Sequence, residues 1–347
     1  MPTRWWVDLD GGFWWFNSMN LPPLATSGPA ESPPNQAGVL GLPDTQLLFG
    51  GDDGDPQLRI GGRVRTGVWL DPCQRNAVEA SYLGIGGSSS RFLTNGVDTP
   101  VLARPYYDLS RGTQAAMLVS YPGLILGDLE IETAAEFHTV EVLWRTAVLG
   151  GDDGRVDFLA GYRYARLAES LHVSQFSEWT AAQGSILPGT TKALYDSFDT
   201  DNRFHGAEVG LAYTDREGPW SLQATAKLAL GNTHFESQVD GRTFTTVPGG
   251  GTAEFAGGLL AQETNRGLRQ ANEFTLLPEF GVAVGQELTP RLRLQCGYNA
   301  LFWNRVARPD AQIDAALSQL PPEPPVGNAR PRPHLSREGF WAHGLTV

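Results

Sequence analysis

The sequence predicts an all-β protein: a closed antiparallel transmembrane β-barrel of about ten strands, with twelve as the alternative count. Long segments alternate with period two between an apolar and a polar face. The connections between them are alternately short and long, as in barrels with short periplasmic turns and long extracellular loops. No window of about 20 residues is continuously apolar, which argues against a spanning helix. We expect a single barrel domain over residues 1–347.

Each strand is predicted from its own alternation, beginning with the first. Trp5, Val7, Leu9, Phe13 and Trp15 share one face. Trp5 and Trp15 are separated by roughly 33 Å of strand, which a tilt of about 40° projects to about 25 Å, the height of a lipid-facing band. The predicted strands are 4–16, 57–71, 77–94, 127–149, 155–174, 198–214, 219–237, 270–287, 291–306 and 338–347.

The connections separate the two ends of the predicted barrel. The short ones are 72–76, 150–154, 215–218 and 288–290, and the long ones are 17–56, 95–126, 175–197, 238–269 and 307–337. Long loops on every second connection lie at one end of a sheet, and an even strand number leaves both termini at the other. Segments 113–121 and 254–262 are candidates for small extra strands, and 310–320 for a short helix. The apolar residues change phase within 127–149, which predicts a bulge or a break into two strands.

A half-buried sheet of a soluble protein also alternates. Three features favour the membrane barrel instead. The segments are roughly 12 to 18 residues long, against about 5 or 6 for a globular strand. Their polar face is rich in glycine, alanine and charged residues, and their apolar face ends in aromatic residues.

Charge and motifs exclude several function classes. The net charge is −12, from 26 basic and 38 acidic residues, which makes nucleic acid an improbable partner. The two cysteines form neither a disulfide framework nor a zinc site. No catalytic or metal-binding spacing occurs among the histidines, so we predict no catalytic residues, no metal, no cofactor and no enzymatic activity. Residues 1–17 lack the pattern of a secretory signal peptide.

Several stretches resemble one family. They include Gly61-Gly-Arg-Val-Arg-Thr-Gly-Val-Trp-Leu-Asp71, Leu102-Ala-Arg-Pro-Tyr-Tyr-Asp108, Pro278-Glu-Phe-Gly281, Gly297-Tyr-Asn-Ala-Leu-Phe-Trp303 and Arg308-Pro-Asp-Ala-Gln-Ile-Asp314. Over nearly the whole chain they are similar to the beta-barrel porin type 7 family of bacterial outer-membrane proteins. The resemblance implies location in the bacterial outer membrane and cell envelope, with outer-membrane lipid and the barrel-assembly machinery as partners. Residues 1–347 depart from the family's usual pattern, since they begin without a leader pattern and end without the expected terminal aromatic residue.

The expected function is a porin or narrow channel, a transport protein through which ions or small polar solutes diffuse passively. The charged residues predicted to line its lumen are Arg59, Arg63, Arg65, Glu79, Glu141, Arg145, Asp157, Arg163, Glu208, Lys227, Glu279, Glu287 and Arg293. The candidates for the aromatic girdles are Trp5, Trp15, Trp220, Tyr298, Phe302 and Trp341.

Two alternatives remain open. Opposed arginine and carboxylate side chains can pair across a narrow barrel and plug it, leaving a structural or surface-interaction barrel with binding loops. An outer-membrane enzyme of the omptin protease type is the third reading. His172 and Asp108 are its nearest candidate residues, although their spacing does not recommend them.

Overall fold

The structure is a computed structural model that describes residues 4–51, 58–150, 154–289, 292–321, 323 and 329–347. Its strands, in chain order, are β1 (Trp5–Phe16), β2 (Ala25–Ser27), β3 (Gln46–Phe49), β4 (Leu58–Trp69), β5 (Asn76–Asn95), β6 (Leu102–Asp108), β7 (Thr113–Ser120), β8 (Ile125–Gly150), β9 (Gly154–Trp179), β10 (Thr191–Glu217), β11 (Trp220–Val247), β12 (Gly251–Ala256), β13 (Gly267–Thr289), β14 (Leu292–Val306), β15 (Ala316–Leu317) and β16 (Glu338–Thr346). No helix in the described part of the chain has the length and apolar character needed to cross a membrane.

Ten of these strands form a closed ring. Their order around the ring is β10, β9, β8, β5, β4, β1, β16, β14, β13 and β11, and β11 pairs with β10 to complete it. Every neighbouring pair is antiparallel. The last strand, β16, pairs with β1 on one side and β14 on the other. The predicted barrel of about ten antiparallel strands is therefore confirmed.

The alternation separates outside from inside in the half of the barrel near the short turns. On β1, Val7, Leu9 and Phe13 are exposed on the outer wall, whereas Trp14 and Phe16 are buried inside. On β4, Ile60 and Val64 point outward and Arg63 is buried inside. A barrel in lipid needs this distribution, because hydrocarbon surrounds its wall and polar groups must find partners within.

The two faces exchange character in the upper part of the barrel, which is the part nearer the long connections. On β8, Val140 and Val142 are exposed outside, whereas Leu129, Ile131 and Phe137 are completely buried inside. The pairing of β8 with β9 is unbroken from Ile125 to Ala147. The predicted break into two strands is thus wrong, but the pairings do contain two register shifts: one between Ile85 and Ser88 of β5, opposite Glu136, and one in β8 itself between Ala147 and Leu149. The inward parity of β8 is the same from Leu129 to Leu143, so the phase of the apolar residues changes because the interior changes from charged to apolar.

Three strands extend well beyond their predicted ends. β9 continues to Trp179, β10 begins at Thr191 and β11 continues to Val247. Most of the predicted loops 175–197 and 238–269 are therefore strand, which corrects their assignment as loops. Above the apolar band the outer wall carries polar side chains, so the same period-two pattern continues with its faces exchanged.

A second small sheet lies beside the upper part of the ring. It contains β15, β6, β2 and β3 in that order, and β7 pairs with β6. Residues from this sheet form one apolar core with the upper barrel wall, in which Ala25 and Leu102 join Ile131, Leu171 and Phe198. The long connections near the N-terminus are thus anchored to the barrel by apolar packing.

Two of the minor predicted elements exist and one does not. β7 matches the predicted strand 113–121, and β12 overlaps the start of 254–262. The predicted helix 310–320 is wrong, since this segment contains a 3₁₀ turn at Asp310–Gln312 followed by β15. Tertiary hydrogen bonds hold it: Asp310 accepts one from the Asn20 amide at 2.6 Å, and Gln312 donates to the Ser336 carbonyl at 2.9 Å.

Tight turns join the strands at the opposite end. After β4, the Asp71 carboxylate accepts hydrogen bonds from the backbone amides of Arg75 and Asn76, and they hold the pKa of Asp71 below its ordinary value. The β10–β11 turn contains Gly218 with a φ of 60°. The predicted turns 150–154 and 288–290 lie partly outside the described residues.

Candidate functional site

The candidate site is the interior of the barrel, and its centre is a buried group of six ionisable side chains. Arg163, on β9, donates to Glu208 at 3.0 Å and to Glu279 at 2.6 Å, and lies 3.3 Å from Glu141. The strand registers place the groups on one level, since Glu141 pairs with Arg163 across β8 and β9. Arg163 is completely buried, and its carboxylate partners are at most 3% exposed.

Two further cations complete this group. Lys227 lies 2.6 Å from Glu141 and 3.4 Å from Glu279, and Arg63 lies 2.6 Å from the same Glu279 carboxylate. Three cations thus face three carboxylates, so the group is neutral when all six are ionised. Such a network costs desolvation energy that only complete mutual pairing offsets. We call these six residues the ionic layer.

A second group of ion pairs lies nearer the short turns. Arg145 lies 2.7 Å from Asp157 and 3.3 Å from Glu79, and Arg65 lies 3.4 Å from Glu79. Arg155 adds a 2.5 Å contact to Asp157. Solvent exposure increases towards the end of the barrel with the short turns. The Arg65 side chain is 23% exposed, whereas the residues of the ionic layer are at most 7% exposed.

Three of the predicted lumen residues lie outside both groups. Glu287 and Arg293 face each other in register at the turn end of β13 and β14, where Glu287 is exposed. Arg59 lies above the ionic layer, where it donates to the Ala135 carbonyl at 2.8 Å and covers the Phe16 ring at 4.5 Å. The sequence therefore identified inward-facing residues, but their arrangement into levels required the structure.

A layer of aromatic side chains crosses the interior above the ionic layer. The ring centroids of Phe16 and Phe340 are 5.0 Å apart, and those of Phe137 and Phe340 are 5.6 Å apart. Phe204 and Trp303 meet edge to face at 6.0 Å, and all five rings are at most 3% exposed. We call the apolar cluster to which these rings belong the aromatic layer; its large members are Trp14, Phe16, Phe137, Phe204, Trp303 and Phe340.

Sequence reasoning missed this layer because it assigned the aromatic residues to the lipid face. The signal was present, since Trp14 and Phe16 have the opposite parity to Trp15, and Phe204 has the parity of Glu208. Inward glycines make room for it. A Cβ on Gly344 would lie 2.5 Å from the Trp14 ring, and one on Gly61 would lie 2.7 Å from it.

Two more buried ion pairs lie above the aromatic layer. Arg308 binds Glu169 through two hydrogen bonds of 2.8 Å, and Arg104 lies 2.6 Å from Asp196. Burial opposes the charged form of Arg308, but Glu169 outweighs it and keeps the pKa of Arg308 above its ordinary value. These pairs fasten the external segments to the barrel, because Arg104 is on β6 and Arg308 follows β14.

Aromatic side chains also mark the outer wall. Trp5 and Trp220 are exposed near the turn end, at 66% and 53%. Towards the other end, Trp15 and Trp341 each stack on His343, and Tyr298 lies 5.7 Å from the same ring. Phe302 is exposed on the outer face of β14. All six candidates for the girdles therefore lie on the outward face.

The residues considered for catalysis are not brought together. His172 points outward from β9 and contacts Asp199 at 3.0 Å. Asp108, at the end of β6, accepts hydrogen bonds from the backbone amide and hydroxyl of Ser110. Among the described residues, no group of three or more histidine, cysteine or acidic side chains is arranged to hold a metal ion.

The comparisons with known proteins identify a family and a similar fold. A family model described as "Putative beta barrel porin-7 (BBP7)" matches residues 6–347. No curated protein matches the chain. Among solved structures, the outer membrane protease OmpT from Escherichia coli is similar with a TM-score of 0.48 and 9% identity, over 99% of this chain and 95% of that one.

The match to OmpT corrects one prediction. We predicted that the chain is not an enzyme, and the similar solved barrel is a protease. The prediction rested on missing motifs, whereas catalytic residues are brought together by the fold and need no short sequence motif. At a TM-score of 0.48 and 9% identity, this likeness assigns no activity to the chain.

Proposed function

Because the chain belongs to the beta barrel porin-7 (BBP7) family, we propose that it is a bacterial outer-membrane barrel with an interior closed by its own side chains, whose external segments form a binding surface. Outer-membrane lipid and the barrel-assembly machinery are the partners that such a protein requires.

One observation carries the proposal: the ionic layer and the aromatic layer occupy successive levels of the same interior. An ion that passes the first must separate pairs such as Arg163–Glu279, and it must then displace rings such as Phe340. Ten strands lie close to the eight at which side chains fill a barrel. The external segments, in contrast, are fixed by apolar packing and by ion pairs such as Arg104–Asp196.

Conductance across planar bilayers tests this proposal. We expect no ion current across bilayers that contain correctly inserted wild-type protein. The double variant Phe137→Ala/Phe340→Ala is expected to leak, because it removes two rings of the aromatic layer. Phe302→Ala is the matched control, since that ring lies on the lipid-facing wall. Steady wild-type conductance would reject the closed barrel.

The second candidate is a porin or narrow channel for ions or small polar solutes. The family description and the charged mouth favour it, since Arg65 and Asp8 are partly exposed there. A channel predicts that Glu279→Ala changes ion selectivity. A closed barrel predicts that the same variant is less stable or begins to leak, with no wild-type current to modify.

A further inference from the structure

A cavity of 490 Å³ lies above the aromatic layer, between the barrel wall and the external segment that carries β3. Its lining includes the apolar side chains of Phe16, Met19, Leu21, Leu48 and Phe49 beside polar and charged ones. It reaches the surface beside Leu47, which is 41% exposed. The volume is within the range of pockets for small organic ligands.

One buried cation of this cavity has no ion-pair partner among the described residues. Arg59 is 9% exposed, and its two described contacts are the Ala135 carbonyl and the face of Phe16. Its Nε is buried and has no hydrogen bond to the described residues. Within the described residues no carboxylate lies at ion-pair distance from Arg59. A buried guanidinium in this condition is costly unless a ligand completes its hydrogen bonds.

The other charges of the cavity are already balanced. Arg308 and Glu169 also line it, but they bind each other bidentately at 2.8 Å. Arg308 also donates to the carbonyls of Asn17 and Ser18 and lies 3.5 Å from the Glu338 carboxylate. Among the described residues, Arg59 is therefore the cation of this cavity that no carboxylate contacts, and it lies beside apolar side chains.

We infer that this cavity binds an apolar organic monocarboxylate, with the carboxylate on Arg59 and the hydrocarbon part against Met19, Leu21 and Leu48. A single negative charge matches the guanidinium that the described carboxylates leave unpaired, and Arg presents two donors to a carboxylate in the geometry it accepts. A dianion such as phosphate would leave one charge unpaired among apolar side chains. The inference does not depend on whether the barrel conducts, because the cavity lies above the aromatic layer.

Calorimetric titration of the refolded full chain with 4-phenylbutyrate tests it, with the neutral 4-phenylbutan-1-ol as the matched ligand. We expect saturable one-to-one binding of the acid and weaker binding of the alcohol. Arg59→Gln is expected to lower the affinity for the acid by roughly tenfold to a hundredfold, as for loss of a hydrogen-bonded charge pair. Arg111→Gln, at an exposed loop arginine, removes the same charge and is expected to bind like wild type.

A second variant keeps the test decisive if Arg59→Gln does not fold. Leu48→Trp fills the cavity while retaining Arg59, and we expect it to abolish binding. Equal binding of acid and alcohol by wild type, or undiminished binding by Leu48→Trp, would overturn the inference. Absence of saturable binding of the acid to folded wild-type protein would overturn it as well.

Discussion

Glu279 contacts all three cations of the ionic layer, so its charge has more partners than any other carboxylate of that group. Its side chain is 3% exposed, and water cannot replace these contacts. The stability of the layer therefore depends on numerical balance, with three carboxylates for three cations. Removal of one charge leaves an excess that the low-dielectric interior does not screen.

Glu279→Gln is expected to destabilise the barrel by about 3–5 kcal/mol, the cost of breaking a buried ion pair by removing one partner. Urea unfolding in lipid vesicles measures the change. Glu263→Gln is the matched control, since Glu263 is exposed on a loop. If the two variants unfolded at the same urea concentration, the ionic layer would not contribute to stability as proposed.

Gly344 permits the close approach of the Trp14 ring, and it gives a second residue-scale prediction. Gly344→Ala would place a Cβ 2.5 Å from that ring and 2.7 Å from the Phe13 carbonyl oxygen. We expect a loss of about 1–3 kcal/mol through displaced packing. Gly11→Ala on β1, with no atom within 4 Å of its Cβ, is expected to be nearly neutral. Equal stability of the two variants would show that Trp14 adjusts freely.

At the scale of elements, the sequence predicted most of the architecture and missed how the interior is organised. The strand count and the inward parity of residues such as Arg63 follow from period two, because a strand has only two faces. That period does not tell which environment each face meets at a given height. The pairing of Arg163 with Glu279, 116 positions away, depends on registers around the whole ring and has no local signal.

The two cysteines report on the environment of two elements. Cys73 is exposed in the turn after β4, whereas Cys296 is exposed on the outward face of β14, which we expect to contact lipid. In nanodiscs, a charged water-soluble maleimide is expected to label Cys73 at least about tenfold faster than Cys296, since hydrocarbon excludes the reagent.

Single-cysteine variants Cys73→Ser and Cys296→Ser assign the two rates, and mass spectrometry measures them. Both thiols should react alike after denaturation in detergent. Rapid labelling of Cys296 in the folded protein would place the outer face of β14 in water and contradict its contact with lipid.

At the scale of the whole molecule, the barrel is taller than a membrane. β11 has 28 residues, which span roughly 90 Å along the strand and about 70 Å along the axis at a tilt near 40°. The apolar band accounts for only about 25 Å of this height. The strand extensions and the small sheet thus project on the loop side.

Atomic force microscopy of the protein in supported bilayers is expected to show a protrusion of roughly 30–45 Å on one side of the membrane. The turn side should project little, because its described connections are tight. Similar low profiles on both sides would mean that the extended strands lie within the bilayer, against the proposed position of the apolar band.

The exchange of faces along β8 also fixes how deep the protein sits. Glu136, Asp201 and Glu236 point outward just above the last lipid-facing residues of their strands. If the barrel lay a few residues deeper in the bilayer, these acids would enter the hydrocarbon. If it lay higher, Val140 and its neighbours would be exposed to water. The outward side chains thus set the depth of the barrel in the bilayer. A change in bilayer thickness would have to be accommodated by local deformation of the lipids, because the barrel cannot shift along the membrane normal without exposing mismatched side chains.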